Sequence, residues 1–507
     1  MSTRVATRLS QLLDAAGVQP IGATGADPDI VGATLDSRNV HPGFLFFAIQ
    51  GFEQNGEAFI PDALERGASA VVAASERPDW VGSDVAWVRV AQPRCAAGPL
   101  SRQLFDCPDE ALTLVGITGT NGKTTVAHMV EAMALAAGMR AGRIGTVGHA
   151  FAGQERPSSH TTPEAPDFYR LLAEMRDEAV ELVAMEVSSH ALSLSRVAGA
   201  RFATALFLNL TRDHLDYHET EESYFEAKAQ LFAGLRDDAC AVLPYDDDHT
   251  ERLRQMTAAR VVTFGRSEHA DVRLVNEHCG LDGSSAVLLT PSGKLPIRSF
   301  LLGRFNLDNI AAAAACALAS GIPAEAIATG VLKMQPVPGR TQPVDVGQPF
   351  GVLVDYAHTE DALENLLRDL RDLTPGRLSV VFGCGGNRDA GKRAGMGRIA
   401  AAIADDVTIT SDNPRDEDPE AIIDAVYSGA QRERTNNPRE ITLDRQTDRR
   451  AAIQTALARA QSGDVVVIAG KGHETVQIVS GERLEFDDHA VATDALAVLG
   501  WDGGVNA

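Results

Sequence analysis

The chain has 507 residues, of which 44% are hydrophobic and 23% are charged. These values are typical of globular proteins, and at roughly 150 residues per domain the length predicts about three domains. Lysine and arginine total 46 against 69 aspartate and glutamate residues, a formal charge of −23, which excludes nucleic acid as an expected partner because a polyanion would be repelled at long range. A small anion in a local basic pocket remains compatible with that charge.

The cysteines and the N-terminal segment indicate where the protein works. Six cysteines are scattered without a CxxC pair, which argues against a zinc cluster and against a disulfide framework. We therefore expect a reducing compartment and a cytoplasmic location. MSTRVATRLSQLLDAAG, residues 1–17, predicts a short amphipathic helix ended by Gly17, and no apolar run approaches the roughly 18 residues of a membrane span.

Residues 1–108 are the first predicted domain, a small α/β module. Its strand-like runs are GATLDSR, FLFFAI, SAVVAA and VAWVRV, and its helical stretch is AFIPDALERGA. Residues 109–337 are the second, where the strands LTLVGIT, ELVAMEV and ATALFLN alternate with the helices TTVAHMVEAMALAAG, YFEAKAQLF and NIAAAAACALASG. This alternation predicts a parallel, doubly wound sheet.

QPVPGR, residues 335–340, has the proline and glycine content of a domain linker and follows the alanine-rich helix. In residues 338–507 a second alternating set begins, with the strands GVLVDYA, LSVVFG, DVTIT, EITL and DVVVIAG. It predicts a Rossmann-like, doubly wound domain. The expected fold class is therefore α/β with three domains, the central one holding a phosphate-binding loop.

Polar, glycine-rich segments follow the predicted strands. They are GTNGKTT, EVSSH, LTRDHLDYH, CGGNRD, SDNPR and KGHE. Open parallel sheets bind ligands outside the carboxyl ends of their strands. We therefore expect these segments to line a cleft.

The first of them, within GITGTNGKTT at residues 116–125, is called the phosphate loop below. A glycine-rich strand-to-helix turn that ends in Lys and Thr cradles phosphates with backbone N–H groups, so Lys123 would contact the β and γ phosphates and Thr124 would help hold Mg²⁺. The generic GxxxxGK[ST] spacing is imperfect, because Gly116 lies one residue too far from Gly122. The alternative is an ordinary glycine-rich turn.

Three further residues have two interpretations each. Glu186 follows a buried strand, where a carboxylate is costly unless it is paired or binds a metal. His214 in TRDHLDYH is a candidate ligand, although a histidine in such a loop is more often a hydrogen-bonded structural residue. Lys228 lies in the amphipathic helix YFEAKAQLF, and its spacing alone favours a solvated lysine.

The segment TSDNPRDED, residues 410–418, holds one cation, Arg415, among four acids. Pro414 biases Asn413 toward an extended backbone, so both neighbouring side chains could project into a cleft. A guanidinium there would suit a carboxylate. Alternatively, Arg415 pairs with Asp416 or Asp418 on a solvated loop, where such pairs are common and weak.

The order of the motifs resembles that of the Mur ligases over nearly the whole chain. The matching segments are GTNGKTT, MEVSSHAL, NLTRDHLDYH, AKAQLF, GRFNLDNIAAA, VPGR, DYAH, FGCGGNRD, SDNPR and GKGHE. GTNGKT is that family's own version of the phosphate loop. The resemblance implies an ATP-dependent acid–amino-acid ligase that works through an acyl phosphate in peptidoglycan precursor synthesis, and so serves cell-wall biogenesis, cell shape and cell division.

The resemblance also implies residue roles on the nucleotide side. Lys123, Glu186, His214 and Lys228 would be catalytic, and Mg²⁺ would lie near Thr124, Glu186, His214 and Lys228, the last as a carbamate formed with CO₂. A carbamate offers carboxylate-like oxygens that an ammonium lacks. The implied ATP-binding residues are Gly119, Thr120, Asn121, Gly122, Lys123, Thr124, Thr125, Asn309, Arg340, Asp355 and His358.

For the other substrates, the DNPR segment resembles that of the ligases that add meso-diaminopimelate to UDP-N-acetylmuramoyl-L-alanyl-D-glutamate. Arg415 would meet the distal carboxylate of diaminopimelate, whereas L-lysine would bring an ammonium toward it. The implied amino-acid site is Arg388, Asp412, Asn413, Pro414, Arg415, Gly470 and Glu474. The implied UDP-substrate site is Leu35, Ser37, Thr161, Thr162, Ser188 and Arg196, with Arg196 as a cation for the polyanion. We expect a monomer.

The chain departs from the family pattern at Phe52, Glu53, His160, Leu194, Pro244, Thr341 and Glu360. Because these positions lie outside the phosphate and metal residues, we expect activity to survive. The alternatives are a lysine-adding ligase, another ligase of the superfamily such as a folylpolyglutamate synthetase, or a catalytically silent nucleotide-binding scaffold. The presence of Lys123, Glu186 and Lys228 speaks against a silent scaffold.

Overall fold

The structure is a computed structural model that describes residues 6–51, 54–280, 282–437 and 439–501. The departures at Phe52 and Glu53 lie outside the described residues. Three main sheets occupy separate stretches of the chain, residues 22–89, 113–299 and 342–469. The domain boundaries after residues 108 and 337 fall between these stretches, and we retain them as a proposal.

The N-terminal stretch forms a five-stranded sheet of order β2-β7-β6-β5-β4 and a two-stranded sheet of β1 and β3. Its elements are β1 Thr7–Arg8, α1 Leu9–Ala15, β2 Gly22–Thr24, β3 Asp29–Ile30, β4 Gly32–Thr34, β5 Phe44–Phe47, α2 Ile60–Glu65, β6 Ala68–Ala73, β7 Ala86–Arg89 and α3 Pro93–Leu104. Residues 1–5 of the predicted N-terminal helix lie outside the described residues. Within the described part the helix begins only at Leu9, because Thr7 and Arg8 pair with β3 as a strand. Gly17 does follow the helix end, with the left-handed φ of 63° that suits a glycine there.

The central stretch forms an eleven-stranded sheet of order β11-β10-β9-β12-β8-β13-β14-β15-β16-β17-β18. Its strands are β8 Thr113–Thr118, β9 Ala141–Ile144, β10 His149–Phe151, β11 Gln154–Arg156, β12 Leu182–Glu186, β13 Thr204–Phe207, β14 Cys240–Pro244, β15 Arg260–Gly265, β16 Val272–Gly280, β17 Gly283–Thr290 and β18 Gly293–Ser299. Its helices are α4 Lys123–Ala136, α5 Ala165–Asp177, α6 Ser189–Ser193, α7 Leu215–His218, α8 Glu221–Ala233, α9 Thr250–Met256, α10 Arg304–Ala319 and α11 Ala324–Lys333.

The centre of this sheet is parallel, as predicted, but both of its ends are antiparallel. Sequence analysis missed the end strands β10, β11 and β16–β18. The reason is visible in β18, whose residues alternate between exposed and buried, so it lacks the continuous apolar run that identified the central strands. The alanine run at residues 311–315 lies fully inside the core, where α10 packs against both α4 and the sheet, which explains its composition.

The C-terminal stretch forms a six-stranded sheet of order β19-β20-β24-β21-β22-β23 and a separate hairpin, β25–β26. Its strands are β19 Gln342–Pro343, β20 Gly351–Asp355, β21 Leu378–Phe382, β22 Asp406–Thr410, β23 Thr442–Gln446, β24 Val465–Ala469, β25 Val476–Val479 and β26 Glu482–Glu485. Its helices are α12 Glu360–Leu373, α13 Lys392–Ile403, α14 Pro419–Asn436, α15 Arg449–Arg459 and α16 Asp488–Val498. The linker QPVPGR follows α11, which sequence analysis had not separated from the alanine-rich helix.

The topology places the polar segments at neighbouring strand ends, as predicted. Strands β12, β8 and β13 are adjacent and parallel in the central sheet, and β24, β21 and β22 are adjacent and parallel in the C-terminal sheet. Six loops therefore leave two sheets in two groups of three. Within the described ranges, no helix is both long enough and apolar enough to cross a membrane.

Candidate functional site

A cavity of about 580 Å³ lies between the central and C-terminal sheets. Every predicted ATP-binding residue except Gly119 lines it, together with Glu186, His214, Thr161 and Ser188. Two of the departures from the family pattern also bear on this region: Thr341 lines the cavity, and Glu360 begins α12 beside it. The cavity is therefore shared by the two units. Residues of GTNGKTT, EVSSH and LTRDHLDYH line it, whereas those of CGGNRD, SDNPR and KGHE do not, so the expectation of one cleft lined by all six segments is met only in part.

The phosphate loop runs from β8 into the N-terminus of α4. Gly122 has a left-handed φ of 89°, and a Cβ there would meet Asn309 Oδ1 at 2.5 Å, so only glycine fits this turn. Asn209, from the loop after β13, accepts hydrogen bonds at its Oδ1 from the backbone N–H groups of Thr120 at 3.1 Å and Asn121 at 2.9 Å. A side chain from the neighbouring strand end thus holds the loop in shape.

The ammonium of Lys123 folds back into this loop. Its Nζ atom donates to the carbonyl oxygens of Gly119 at 2.8 Å and Thr120 at 2.9 Å. Burial lowers its pKa, while the charges of Glu186 and Asp213 oppose that effect. The loop therefore holds a desolvated lysine side chain where a phosphate would bind.

Glu186 ends β12 and is 1% exposed. Its carboxylate accepts hydrogen bonds from the hydroxyl of Thr124 at 3.0 Å, the backbone N–H of Thr146 at 2.7 Å and the hydroxyl of Thr146 at 3.1 Å. Among the ion pairs of the described residues, none involves Glu186. A buried carboxylate is costly unless it is paired or binds a metal, so this environment suits a cation.

Lys228 in α8 is 1% exposed, so the solvated-lysine interpretation is wrong. Its Nζ donates to the carbonyl of Gly119 at 2.8 Å and lies 4.3 Å from the centroid of the Tyr224 ring. Burial, and then the nearby charge of Lys123, lower its pKa well below the ordinary value. Helical periodicity missed this, because the phosphate loop that covers Lys228 comes from residues far away in the sequence.

His214 has a left-handed φ of 54° at the start of α7. Its Nε2 atom lies 3.4 Å from Asp213, and its ring meets the His190 ring edge-on with centroids 4.8 Å apart. Desolvation lowers its pKa to about 3, so the imidazole is neutral near pH 7. A neutral imidazole can act as a metal ligand.

The residues predicted to hold Mg²⁺ are only partly brought together. Thr124 and Glu186 are hydrogen-bonded, and Lys228 contacts Gly119 of the phosphate loop. In the part of the chain that the structure describes, no group of three or more His, Cys, Asp or Glu could hold a metal ion. The predicted set contains two residues of those types, Glu186 and His214. Its other two members are Thr124, which offers a hydroxyl, and Lys228.

The far wall of the cavity comes from the C-terminal unit. Arg340 donates from Nη2 to Thr124 Oγ1 at 3.1 Å and lies 4.4 Å from the centroid of the Tyr356 ring. Asn121 donates to Asp361 Oδ2 at 2.9 Å, a second contact between the units. These contacts join the phosphate loop directly to the C-terminal unit.

The remaining predicted nucleotide residues are held by their own neighbours. Asp355 accepts the backbone N–H groups of Thr341 at 2.6 Å and Ala357 at 2.7 Å, and burial raises its pKa. His358 Nδ1 lies 2.8 Å from the carbonyl oxygen of Tyr356, and burial lowers its pKa. Asn309 donates to Asn306 at 3.1 Å.

Four of the predicted UDP-substrate residues form one cluster around Thr162. Its hydroxyl donates to the Glu186 carbonyl at 2.8 Å and accepts the Ser188 N–H at 3.1 Å, and its carbonyl accepts Arg196 Nη1 at 3.0 Å. Thr161 lies beside Thr146, with the hydroxyl oxygens 3.0 Å apart. This cluster adjoins the Glu186 end of the cavity.

Two findings qualify the substrate prediction. Arg196 also pairs with Glu164 at 2.8 Å, and Glu164 pairs with Arg94 at 3.2 Å as well, so two guanidinium groups share one carboxylate. Leu35 and Ser37 lie apart from the cluster along the chain, just after β4 in the N-terminal unit. The structure therefore assembles the central half of the predicted UDP-substrate site.

The predicted amino-acid residues meet at the ends of β21, β22 and β24. Asn413 donates to Glu474 Oε2 at 2.6 Å. Gly470 has a left-handed φ of 112°, and a Cβ there would meet Asp412 Oδ2 at 2.7 Å. Arg415 Nη1 donates to the Gly386 carbonyl at 2.8 Å, which brings the loop after β21 against the loop that contains Pro414.

Three of the four acidic side chains near Arg415 in the sequence have other partners. Glu417 pairs with Arg393 at 2.9 Å, and Asp418 caps α14 by accepting the Glu420 N–H at 3.1 Å. Asp412 accepts the N–H of Asn413 at 2.7 Å. No ion pair of Arg415 with a carboxylate occurs among the described residues, so the interpretation as a solvated surface pair is wrong.

A second guanidinium lies near Arg415. Arg388 is exposed and donates to the Asn387 carbonyl at 3.1 Å. Burial, and then the charge of Arg388, lower the pKa of Arg415. Two neighbouring cations without a carboxylate partner can receive an anion.

Sequence analysis missed several polar residues that build these sites. They are Asn209, Thr146, Asp361 and Lys471. Lys471 lies within the segment KGHE that follows β24, so the strand-end argument could have included it. Asn209 lies just before LTRDHLDYH and was counted in the predicted strand ATALFLN, whereas β13 ends at Phe207. Thr146 and Asp361 carried no comparable signal, because their partners Glu186 and Asn121 are distant in sequence.

Comparison with known protein families assigns the same three stretches of the chain. The family model for the Mur ligase family catalytic domain matches residues 29–103, the Mur ligase middle domain matches residues 117–317, and the Mur ligase glutamate ligase domain matches residues 339–472. Together these matches cover most of the chain.

Individual relatives agree with that assignment. A protein of Geobacillus kaustophilus named UDP-N-acetylmuramoyl-L-alanyl-D-glutamate–2,6-diaminopimelate ligase is 45% identical over 482 residues, which are 94% of this chain and 96% of the relative. A solved structure of an enzyme with that name is 31% identical with a TM-score of 0.68, covering 98% of this chain and 100% of the other. MurF ligase from Thermotoga maritima in complex with ADP, 19% identical with a TM-score of 0.61 and coverage of 93% and 97%, shares the fold.

Proposed function

The chain belongs to the Mur ligase family, and from this premise we propose that it joins meso-diaminopimelate to UDP-N-acetylmuramoyl-L-alanyl-D-glutamate in a reaction driven by ATP. It is an ATP-dependent ligase of peptidoglycan precursor synthesis, like the relatives that it resembles over nearly its whole length. The choice of amino acid rests on the C-terminal pocket.

The observation that carries this choice is that Arg415 and Glu474 both contact Asn413, Arg415 at its carbonyl oxygen and Glu474 at its side-chain amide. Arg415 has no carboxylate partner in the described chain. Glu474 binds Asn413 at 2.6 Å and Lys471 at 3.3 Å through Oε2, and within the described residues its Oε1 atom accepts no hydrogen bond. An amino acid with both a carboxylate and an ammonium at its far end would satisfy the two charges together. L-lysine would satisfy Glu474 and leave Arg415 facing an ammonium, which is unfavourable.

The chemistry follows from the need for a leaving group. An oxygen of the D-glutamate carboxylate attacks the γ-phosphorus of ATP, the bond to ADP breaks, and an acyl phosphate forms. The amine nitrogen of diaminopimelate then attacks the acyl carbon, inorganic phosphate leaves, and the amine loses a proton. Lys123 and the N-terminus of α4 would stabilise the negative charge that grows on the transferred phosphoryl group.

The residues around Glu186 fit a divalent cation, because this buried carboxylate has only neutral hydrogen-bond donors. We propose that Thr124, Glu186, His214 and a carbamate on Lys228 would hold Mg²⁺. When bound, the ion would neutralise charge on the phosphate oxygens. Lys228 suits carbamate formation since burial favours its neutral amine, the form that attacks CO₂.

We assign ATP to the cavity between the two units, with Gly119–Thr125 on its phosphates and Asn309, Arg340, Asp355 and His358 on the opposite side. The UDP-linked substrate would lie toward Thr161, Thr162, Ser188 and Arg196. The hydrogen bond from the Thr162 hydroxyl to the Glu186 carbonyl at 2.8 Å supports this order, because a substrate bound at Thr162 would have its carboxylate next to the phosphate loop. The monomeric state and the cytoplasmic location stay predictions.

The test is release of inorganic phosphate from ATP by the purified protein. Release should require both UDP-N-acetylmuramoyl-L-alanyl-D-glutamate and meso-diaminopimelate, and mass spectrometry should detect the joined product. Equal turnover with L-lysine would overturn the choice of amino acid while leaving the ligase intact. Absence of turnover with every amino acid would favour the silent scaffold.

A further inference from the structure

Lys471 is a fully buried lysine with 0% exposure that follows β24. Its Nζ atom donates to three acceptors: Asn413 Oδ1 at 3.2 Å, Glu474 Oε2 at 3.3 Å and the Val476 carbonyl at 2.6 Å. All of its polar contacts thus lead to the amino-acid pocket or to the hairpin beside it. A charge is costly to bury unless it is paired in this way.

The first consequence concerns Asn413. Its Oδ1 atom accepts from Lys471 and from the Ile478 N–H at 2.9 Å, and its Nδ2 atom donates to Glu474 Oε2 at 2.6 Å. Reversing the amide would place its NH₂ group against two donors. Lys471 therefore keeps the Asn413 NH₂ group directed toward Glu474.

The second consequence concerns Glu474. Lys471 and Asn413 both bind its Oε2 atom, and among the described residues its Oε1 atom accepts no hydrogen bond. The carboxylate is thus fixed in orientation with one oxygen available. An incoming ammonium could be received by that oxygen without moving the side chain.

The third consequence concerns Arg415, through the hairpin β25–β26. Lys471 binds the carbonyl of Val476, the first residue of β25. The hairpin in turn accepts the Arg415 N–H at the Ile478 carbonyl at 3.0 Å and donates the Ser480 N–H to the Arg415 carbonyl at 2.6 Å. These bonds hold Arg415 at a left-handed φ of 53°, a conformation that a non-glycine residue adopts only when its surroundings enforce it.

We propose that Lys471 is a positioning residue for the incoming amino acid: it fixes the carboxylate of Glu474 and, through the hairpin, the guanidinium of Arg415, at the spacing that the substrate's far end requires. This inference rests on the proposed function. Lys471 need not touch the substrate. It acts through Asn413, Glu474 and Val476, and so should affect the amino-acid substrate selectively.

The experiment measures the KM of each substrate for Lys471→Met and Lys471→Arg, using the amino acid that the wild-type enzyme turns over fastest. Lys471→Met should raise the amino-acid KM by about tenfold to hundredfold, as expected for lost hydrogen bonds to charged groups. The KM of ATP should stay within about twofold of wild type. Lys471→Arg, which keeps the charge and the donors, should recover most of the loss. Lys294→Met, at an exposed lysine of β18, is the matched control.

A double-mutant cycle with Glu474→Gln separates positioning from a general effect on folding. Lys471→Met should have a smaller effect on the amino-acid KM in the Glu474→Gln background than in the wild type. Equal effects in the two backgrounds, a parallel rise in the KM of ATP, or no rescue by arginine would overturn the proposal. If the wild type turns over L-lysine instead of diaminopimelate, the proposed function is contradicted. The Lys471 variants would then test the positioning role with L-lysine as the amino acid.

Discussion

Arg340 donates from Nη2 to Thr124 Oγ1 at 3.1 Å, across the cleft between the C-terminal unit and the phosphate loop. The same Thr124 hydroxyl donates to Glu186 at 3.0 Å. A single hydroxyl therefore links a guanidinium of one unit to a buried carboxylate of the other. The nucleotide site depends on both units being in place, which makes the contact a sensitive position for substitution.

Arg340→Lys should raise the KM of ATP by about tenfold to hundredfold, because lysine keeps the charge but cannot both bind Thr124 and stack on Tyr356. The KM of the amino acid should change little. Steady-state kinetics with each substrate varied in turn will measure this, and Arg273→Lys, in β16, is a control at another partly buried arginine. An unchanged KM of ATP would show that the interdomain contact has no part in nucleotide binding.

Lys123→Met should lower kcat by at least about a hundredfold, since the charge that stabilises the transferred phosphoryl group is lost. Its melting temperature should be equal to or above that of the wild type, because burial already disfavours the ammonium. Phosphate release and thermal unfolding monitored by circular dichroism give the two readouts. A stable variant with full activity would remove Lys123 from the mechanism.

Arg415→Lys should raise the KM of meso-diaminopimelate by about tenfold or more, since a point charge replaces a planar donor pair. Arg415→Met should also narrow the preference for diaminopimelate over L-lysine, because the repulsion of the lysine ammonium disappears. Competition between the two amino acids, with products resolved by mass spectrometry, measures the ratio. The proposed contact is contradicted if neither variant changes it.

Removal of divalent cations with a chelator should abolish phosphate release, and added Mg²⁺ should restore it. Glu186→Gln should shift the Mg²⁺ concentration needed for half-maximal rate upward by about tenfold or more, because the amide keeps the shape but loses the charge. A Mg²⁺ titration of initial rates measures the shift. Thr146→Val, which removes one hydrogen-bond donor to Glu186, should cause a smaller shift in the same titration. A Mg²⁺ titration of Glu186→Gln that is identical to that of the wild type would argue against Glu186 as a ligand.

Arg449 and Asp488 form a fully buried ion pair, with the guanidinium bonded at 2.8 and 2.7 Å and a further bond from Arg449 to the Ala469 carbonyl at 2.9 Å. Asp488→Asn should lower the free energy of unfolding by about 3–5 kcal/mol, because it leaves an uncompensated buried charge. Replacing both residues with apolar ones should cost less than the single change. Denaturant unfolding of the full chain measures this, and additive effects of the two changes would contradict the pairing.

Much of the central and C-terminal architecture could be predicted from the sequence. Continuous apolar strands such as β12 and β24, each followed by a polar segment, identified two parallel sheets and the loops at their carboxyl ends. The end strands β16 and β18 were missed because their buried residues alternate with exposed or partly exposed ones, so neither has a continuous apolar run. The hairpin β25–β26 was missed for a related reason, since none of its residues is fully buried.

The sequence by itself determined the family motifs, their order and the strand ends that carry them, because these depend on local periodicity and residue type. Only the tertiary structure decided the environments of individual charges. Lys228 is buried under the phosphate loop, Arg196 shares the carboxylate of Glu164 with Arg94, and Arg415 forms no ion pair with a carboxylate of the described chain. Burial and ion pairing depend on segments brought together from distant parts of the chain, so local patterns cannot specify them. Lys471, which joins three elements of the amino-acid pocket, is the clearest case.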